Sequence, residues 1–132
     1  MKFASAKAAA GRAGMRERQR RARAATPSLR ERFPGIATLR IGFEFRDRGP
    51  FAPAPQLTVL HPPASAYLVF PCPYADCDGE FDVSAPVARL VADEDARCDG
   101  QLKCNGHRRV DSGQKACELT LEYSIEAERE AG

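Results

Sequence analysis

The spacing of the cysteines constrains the fold more than anything else in this 132-residue chain. The apolar run AYLVF (66–70) leads to Cys72, four residues intervene, and Cys77 leads through Gly79 into GEFDV. Downstream, QLK leads to Cys104, twelve residues intervene, and Cys117 leads into ELTLEYSIE. Each half reads as a β-hairpin with one cysteine on either side of its turn. The chain shows no repeat by residue identity, only this repeat of form. Two such hairpins facing each other can bring four thiolates to the corners of a tetrahedron, the geometry that Zn²⁺ prefers.

Five cysteines compete for the four places. Cys72, Cys77, Cys104 and Cys117 are the expected ligands, because that set gives each hairpin one ligand on each arm. Two alternates stay open. Cys98 lies close to Cys104 in CDGQLKC, and His107 stands three residues beyond Cys104, a spacing at which histidine also ligates. Arg108 and Arg109 beside His107 count against the latter. Disulfides fit less well: the number of cysteines is odd, and thiols persist in a reducing compartment. A cysteine nucleophile would need a base, and the two histidines are His61, held before two prolines, and His107. An iron–sulfur motif beginning at Cys72 would want a further cysteine where Glu80 stands.

CPYADCDG (72–79) resembles the first knuckle of a zinc ribbon: a proline after the first cysteine, then a second cysteine followed closely by glycine. The resemblance covers roughly residues 66–126 and departs from the family in its gaps, four residues and twelve where two are usual. It extends to small uncharacterised bacterial zinc-ribbon proteins, which bring no activity with them. What the likeness implies is a structural Zn²⁺, a closed site without an open position for water, and a setting in transcription or ribosome-associated machinery. At Gly79 the expected reason for glycine is a positive φ that turns backbone amides toward the sulfurs.

Around this centre the pattern predicts a mainly β, small α+β fold: a zinc-ribbon-like pair of hairpins with an extra N-terminal strand region, one short helix and a basic N-terminal arm. In TLRIGFEFRD, Leu39, Ile41, Phe43 and Phe45 alternate with polar residues, the period of a strand with one buried face. QLTVL follows a proline-rich connection (49–55) that cannot join a central ladder. Leu119, Leu121, Tyr123 and Ile125 repeat the alternation near the end. TPSLRERFPG reads as a turn or two of helix capped by Thr26 or Ser28, and Ser84 as the cap of a helix over APVARLVAD. DEDARCDG reads as an acidic loop. The expected organisation is an arm over 1–32, a zinc-binding β domain over 33–126 and a loose tail over 127–132.

The net charge of +2 conceals a division. Residues 1–32 hold ten basic side chains against Glu17 and Glu31, a net +8, while the rest holds ten basic and sixteen acidic, a net −6. GRAGMRERQRRARAA (11–25) has good helix formers but only Met15 offers real apolar area, so in isolation it should be frayed or disordered. Clustered arginines make sequence-independent contacts to phosphate. The expected function is therefore a non-enzymatic zinc-binding protein that meets RNA, DNA or a nucleic-acid-containing assembly through Arg16, Arg18, Arg20, Arg21 and Arg23. Arg108 and Arg109 on the zinc loop would add a second contact. The alternative is a protein-interaction adaptor with an incidental basic tail, using the strand face and the proline-rich loop. About ninety residues of short strands are marginal on burial alone, and a structural zinc adds on the order of 10 kcal/mol of apparent binding free energy.

No apolar run approaches the roughly 18 residues needed to cross a bilayer, so no membrane partner is expected. The start, MKFASAKAAAGRAG, lacks the unbroken apolar core of a secretory signal; its Ala- and Arg-rich, acid-poor character is shared with mitochondrial presequences. A cytoplasmic address is the expectation.

Overall fold

The computed structural model describes residues 2–49, 51–110 and 113–131. The fold is mainly β with three helices among the described residues. α1 spans Lys2–Ala25 and α2 spans Leu29–Arg32. β1 (Ile36–Arg46), β2 (Gln56–Leu60), β5 (Arg97–Lys103) and β8 (Thr120–Arg129) form an antiparallel sheet in the order β2-β1-β8-β5. Two hairpins, β3 (Val69–Pro71) with β4 (Glu80–Asp82) and β6 (His107–Val110) with β7 (Gly113–Ala116), stand apart from it, and α3 covers Ser84–Ala92.

Alternation places the core. Leu39 faces Ala127, Ile41 faces Ile125, Phe43 faces Tyr123 and Phe45 faces Leu121 across β1 and β8. This face is buried, and Val87 and Leu90 of α3 join its cluster. The β3–β4 hairpin adds two aromatic contacts, with the Phe70 ring 5.0 Å from Phe43 and the Phe81 ring 6.3 Å from Phe45. Leu29 and Phe33 from the α2 turn and Leu68 complete the cluster. Each such side chain contributes about 1.5–3 kcal/mol when fully buried.

Local chemistry explains the short elements. Ser28 caps α2, its hydroxyl accepting from the Glu31 amide at 3.3 Å. At α3 the cap position falls at Val83, one residue before the expected Ser84, with no side-chain cap bond; Ser84 opens the first turn, and the Asp82 carboxylate accepts its amide at 2.9 Å. Regular pairing in AYLVF begins only at Val69, although Ala66 and Leu68 are buried.

Three segments differ from expectation. The acidic loop gives way to strand at Arg97, because the upper half of β8 offers a partner as far as Glu126. The tail is held: β8 continues to Arg129, Ala127 is buried, and the Glu130 amide donates to the Gly35 carbonyl at 2.7 Å. The N-terminal arm is a continuous helix lying against β6 and β3, with Met15 fully buried and Gln19 nearly so.

Candidate metal centre

Cys72, Cys77, Cys104 and Cys117 converge, their four sulfurs all within 4.8 Å of one another. Cys77 and Cys104 are 3.6 Å apart, and Cys72 and Cys117 4.0 Å. A tetrahedral ion with metal–sulfur bonds of about 2.3 Å requires sulfur edges of about 3.8 Å. The cluster fits a metal ion in chemistry and in size. All five cysteines are free thiols, so no disulfide competes for these positions.

The site is built twice from one device. In the first half, the Gly79 amide donates to Cys77 Sγ at 3.3 Å; in the second, the Gly106 amide donates to Cys104 Sγ at 3.4 Å. The Cys72 amide donates to the Gly79 carbonyl at 2.9 Å, and the Cys117 amide to the Gly106 carbonyl at 3.0 Å. Amides aimed at sulfur stabilise thiolate and orient the ligand. The two glycines meet back to back. A Cβ built on Gly79 would overlap Cys104 Sγ, and one on Gly106 would overlap the Gly79 backbone. Glycine is therefore required at 79 by close approach; a positive φ, expected from the sequence, occurs among glycines only at Gly35 and Gly113 in the described residues.

The carriers of the four ligands come from different parts of the fold. Cys72 and Cys77 lie in the β3–β4 turn. Cys104 follows β5 and Cys117 precedes β8, so these ligands sit at the open end of the main sheet. The loop between them is itself the β6–β7 hairpin. Cys72 and Cys77 are sealed from solvent, while Cys104 and Cys117 retain slight exposure. A groove of about 420 Å³, lined by Arg46, Arg48, Lys103 and these last two cysteines among others, opens beside them.

Four thiols at this distance cannot all ionise unaided. Hydrogen bonds from Cys104 and Cys72 hold the Cys77 thiol low, with the Gly79 amide assisting. Contacts with Cys104 and Cys77, together with burial, push Cys72 up, and burial pushes Cys117 up. A divalent cation removes this conflict by binding all four sulfurs as thiolates.

Neither alternate ligand belongs to the cluster. Cys98 lies on β5 opposite Ile125, six residues and about 20 Å along the strand from Cys104. Its thiol points toward the Pro86 carbonyl, and burial raises its pKa. His107 is exposed, and its backbone amide donates to Asp78.

The arginines divide. Arg16, Arg20 and Arg23 follow one another at i, i+4 and i+7 along the exposed face of α1, lining a shallow groove with Glu17 and Gln19, and Arg23 also lies 5.6 Å over the Tyr67 ring. Arg18 and Arg21 project from other sides of the same helix, and Glu17 pairs with Arg20 at 2.7 Å and Arg21 at 3.2 Å. Arg108 turns inward: it pairs with Asp76 at 3.0 Å and stacks 3.9 Å above the Tyr74 ring. Arg109 lies in β6 opposite Gln114, and its side chain falls outside the described residues. The Tyr74 hydroxyl in turn donates to Asp47.

Sequence reading missed three members of this assembly: Gly106, Asn105 and Arg12. The first two had a signal in the repeated triplet Cys–Asx–Gly at 77–79 and 104–106. That triplet also occurs at 98–100, inside β5, where Gly100 makes room for the Tyr123 ring. Arg12 had none: a helix arginine gives no indication that it will meet backbone carbonyls sixty residues away.

Fold and site together define a small α+β protein organised round a buried four-cysteine cluster compatible with a metal ion. No family model, curated protein or solved structure matches the chain. No helix among the described residues is long and apolar enough to cross a membrane.

Proposed function

We propose that this chain is a non-enzymatic protein in which a structural Zn²⁺ holds a zinc-ribbon-like module, and that the arginine face of α1 contacts nucleic-acid phosphate. The observation that carries the reading is the docked helix, which holds Arg16, Arg20 and Arg23 in one exposed row. A fixed row of guanidinium groups binds phosphate at lower entropic cost than a disordered tail. Four buried cysteine ligands leave no open coordination position for substrate or water, which supports a structural ion over a catalytic one. Thiolate ligands favour zinc among abundant divalent ions, and free thiols suit a reducing, cytoplasmic setting.

The test is binding of the full chain to duplex and single-stranded RNA and DNA across a salt series. Replacing Arg16, Arg20 and Arg23 with Gln should weaken binding to every sequence and flatten the salt dependence. Equal affinity and equal slope for the two proteins would overturn the reading.

A protein-interaction adaptor is the second reading, and one observation favours it. Among the residues whose burial is described, the exposed large hydrophobics, Phe51, Leu57 and Val59, gather on β2 and the segment leading to it, at an edge of the main sheet. Unlike the opposite edge, β5, the strand QLTVL carries no charge to discourage pairing.

A further inference from the structure

Over residues 11–25, helix α1 offers little apolar surface with which to hold itself to the body. Its buried side chains there are Met15 and Gln19, flanked by the partly buried Arg12. Its last turn is tied down by the Ser65 hydroxyl, which donates to the Arg23 carbonyl at 3.0 Å, and by Arg23 over the Tyr67 ring. What anchors the earlier turns is polar and specific. One nitrogen of Arg12, Nη1, donates to the carbonyls of Cys72 at 2.7 Å, Tyr74 at 2.8 Å and Cys77 at 3.2 Å. Two of these three residues are cluster cysteines, and the third lies between them. Two turns along the helix, Gln19 donates to the Glu80 carboxylate at 2.9 Å, and the Glu80 amide is itself held by Asn105 of the second knuckle.

The three carbonyls converge because the loop from 72 to 77 turns its sulfurs inward to the cluster and its carbonyls outward. Within the loop, the Cys77 amide meets the Tyr74 carbonyl at 3.2 Å. Around it, the Cys72 amide meets the Gly79 carbonyl at 2.9 Å and Arg108 holds Asp76 and Tyr74. The two ends that carry the sulfurs are further held where Cys72 and Cys77 meet Cys117 and Cys104 across the site. A metal ion bound to all four makes that restraint rigid. The guanidinium also lies on the side of a tetrathiolate centre whose net charge with Zn²⁺ is negative, which favours a cation there.

We propose that the metal centre is the anchorage of the basic helix: metal binding shapes the carbonyl cradle that holds Arg12, and loss of the metal releases α1. Coupling of this kind is reciprocal, so the docked helix also tightens metal binding. As regulation of the phosphate-binding face it rests on the nucleic-acid reading above; the docking itself does not. Metal loss would then convert a fixed arginine row into a mobile arm.

Hydrogen exchange on the full chain without nucleic acid separates this inference from that reading. At saturating zinc, the wild-type segment 11–25 should exchange slowly. Arg12→Ala, confirmed by native mass spectrometry to carry one zinc and with β1 and β8 still protected, should exchange about 10-fold or more faster in that segment alone. Arg12→Lys, which keeps the charge and a multiple donor on a shorter side chain, should fall between. Arg12→Ala should also lose zinc to a competing chelator roughly 10-fold more readily. Chelation of the wild type should expose 11–25 as well; where it unfolds the whole chain, the zinc-loaded Arg12→Ala protein decides the matter. Unchanged protection of 11–25 in that protein, or protection that survives chelation while the cysteine loops open, would overturn the proposal.

Discussion

Asp78 and Asn105 occupy the same place in the two halves of the four-cysteine cluster, and each secures the other half. The Asp78 side chain accepts the His107 amide at 2.9 Å, and the Asn105 side chain accepts the Glu80 amide at 2.9 Å. In both cases the acceptor sits between a cluster cysteine and its knuckle glycine, and the donor is the residue just past the other glycine. The exchange explains why both halves carry Asx at this position. Removing either side chain should cost about 1 kcal/mol, the usual net worth of one such bond. Asp78→Asn should be nearly neutral, whereas Asp78→Ala and Asn105→Ala should both accelerate metal loss to a chelator. Equal loss rates for Asp78→Asn and Asp78→Ala would refute this account.

The glycines behind those residues should be less forgiving. Ala at Gly79 or Gly106 drives a methyl into Cys104 Sγ or into the Gly79 backbone, with no flexible side chain to give way. Either change should cost about 3 kcal/mol or more, in the range of severe overpacking. Gly42→Ala meets only the Ser124 carbonyl at 3.8 Å and provides the comparison. Chemical denaturation of the zinc-loaded proteins measures all three.

Metal stoichiometry should sort the cysteines by position. Ser at Cys72, Cys77, Cys104 or Cys117 should abolish stable binding of one ion. Cys98→Ser and His107→Gln should each retain it, since neither residue belongs to the cluster. Native mass spectrometry before and after acid denaturation gives the count. An ion retained by Cys72→Ser but lost by Cys98→Ser would reassign the site.

Asp47 carries a pH signature. The hydrogen bond from the Tyr74 hydroxyl, supported by the Arg48 amide and the nearby Arg108 charge, holds its carboxyl below the ordinary carboxylate range. Because the folded pKa is lowered, the stabilisation is present above the ordinary value, about 3.9, and is lost as pH falls through the lower folded value. In Tyr74→Phe the carboxyl should titrate nearer that ordinary value. Carbon-detected NMR of the Asp47 carboxyl follows it directly; an unmoved titration would show that the hydroxyl is not the cause.

The arginines should separate in function as they do in space. Replacing Arg16, Arg20 and Arg23 with Gln should reduce the salt slope of nucleic-acid binding by roughly 2–3, close to one unit per phosphate contact. Arg108→Ala should leave the slope alone and destabilise the metal module, because that side chain is committed to Asp76 and Tyr74. A slope that falls with Arg108→Ala would return it to the interface.

Much of this was legible in the chain, for identifiable reasons. β1 and β8 announce themselves because one face is buried and one exposed, so Leu39, Ile41, Phe43 and Phe45 stand out at period two. The cysteine spacing indicates two turns because ligands must flank a hairpin. The β6–β7 hairpin is hidden inside NGHRRVDSGQKA because β7 is exposed throughout, leaving no alternation to read. Docking of α1 is invisible for a different reason: its anchors include Arg12, Gln19 and the Arg23 carbonyl, polar groups whose partners are fixed only by tertiary structure. The same holds for Arg108, which in sequence belongs to a basic pair and in space belongs to Asp76.

The pairing of β1 with β8 has a kinetic consequence. Ile41 must find Ile125 across most of the chain before the central ladder can form. Closing so long a loop slows folding, and its entropic cost rises with the logarithm of its length. Cys72 and Cys117 lie 45 residues apart within that loop, so an ion bound early ties off its middle and brings the two strands within reach. Zinc added to the denatured chain should therefore speed refolding, in addition to slowing unfolding of the finished structure.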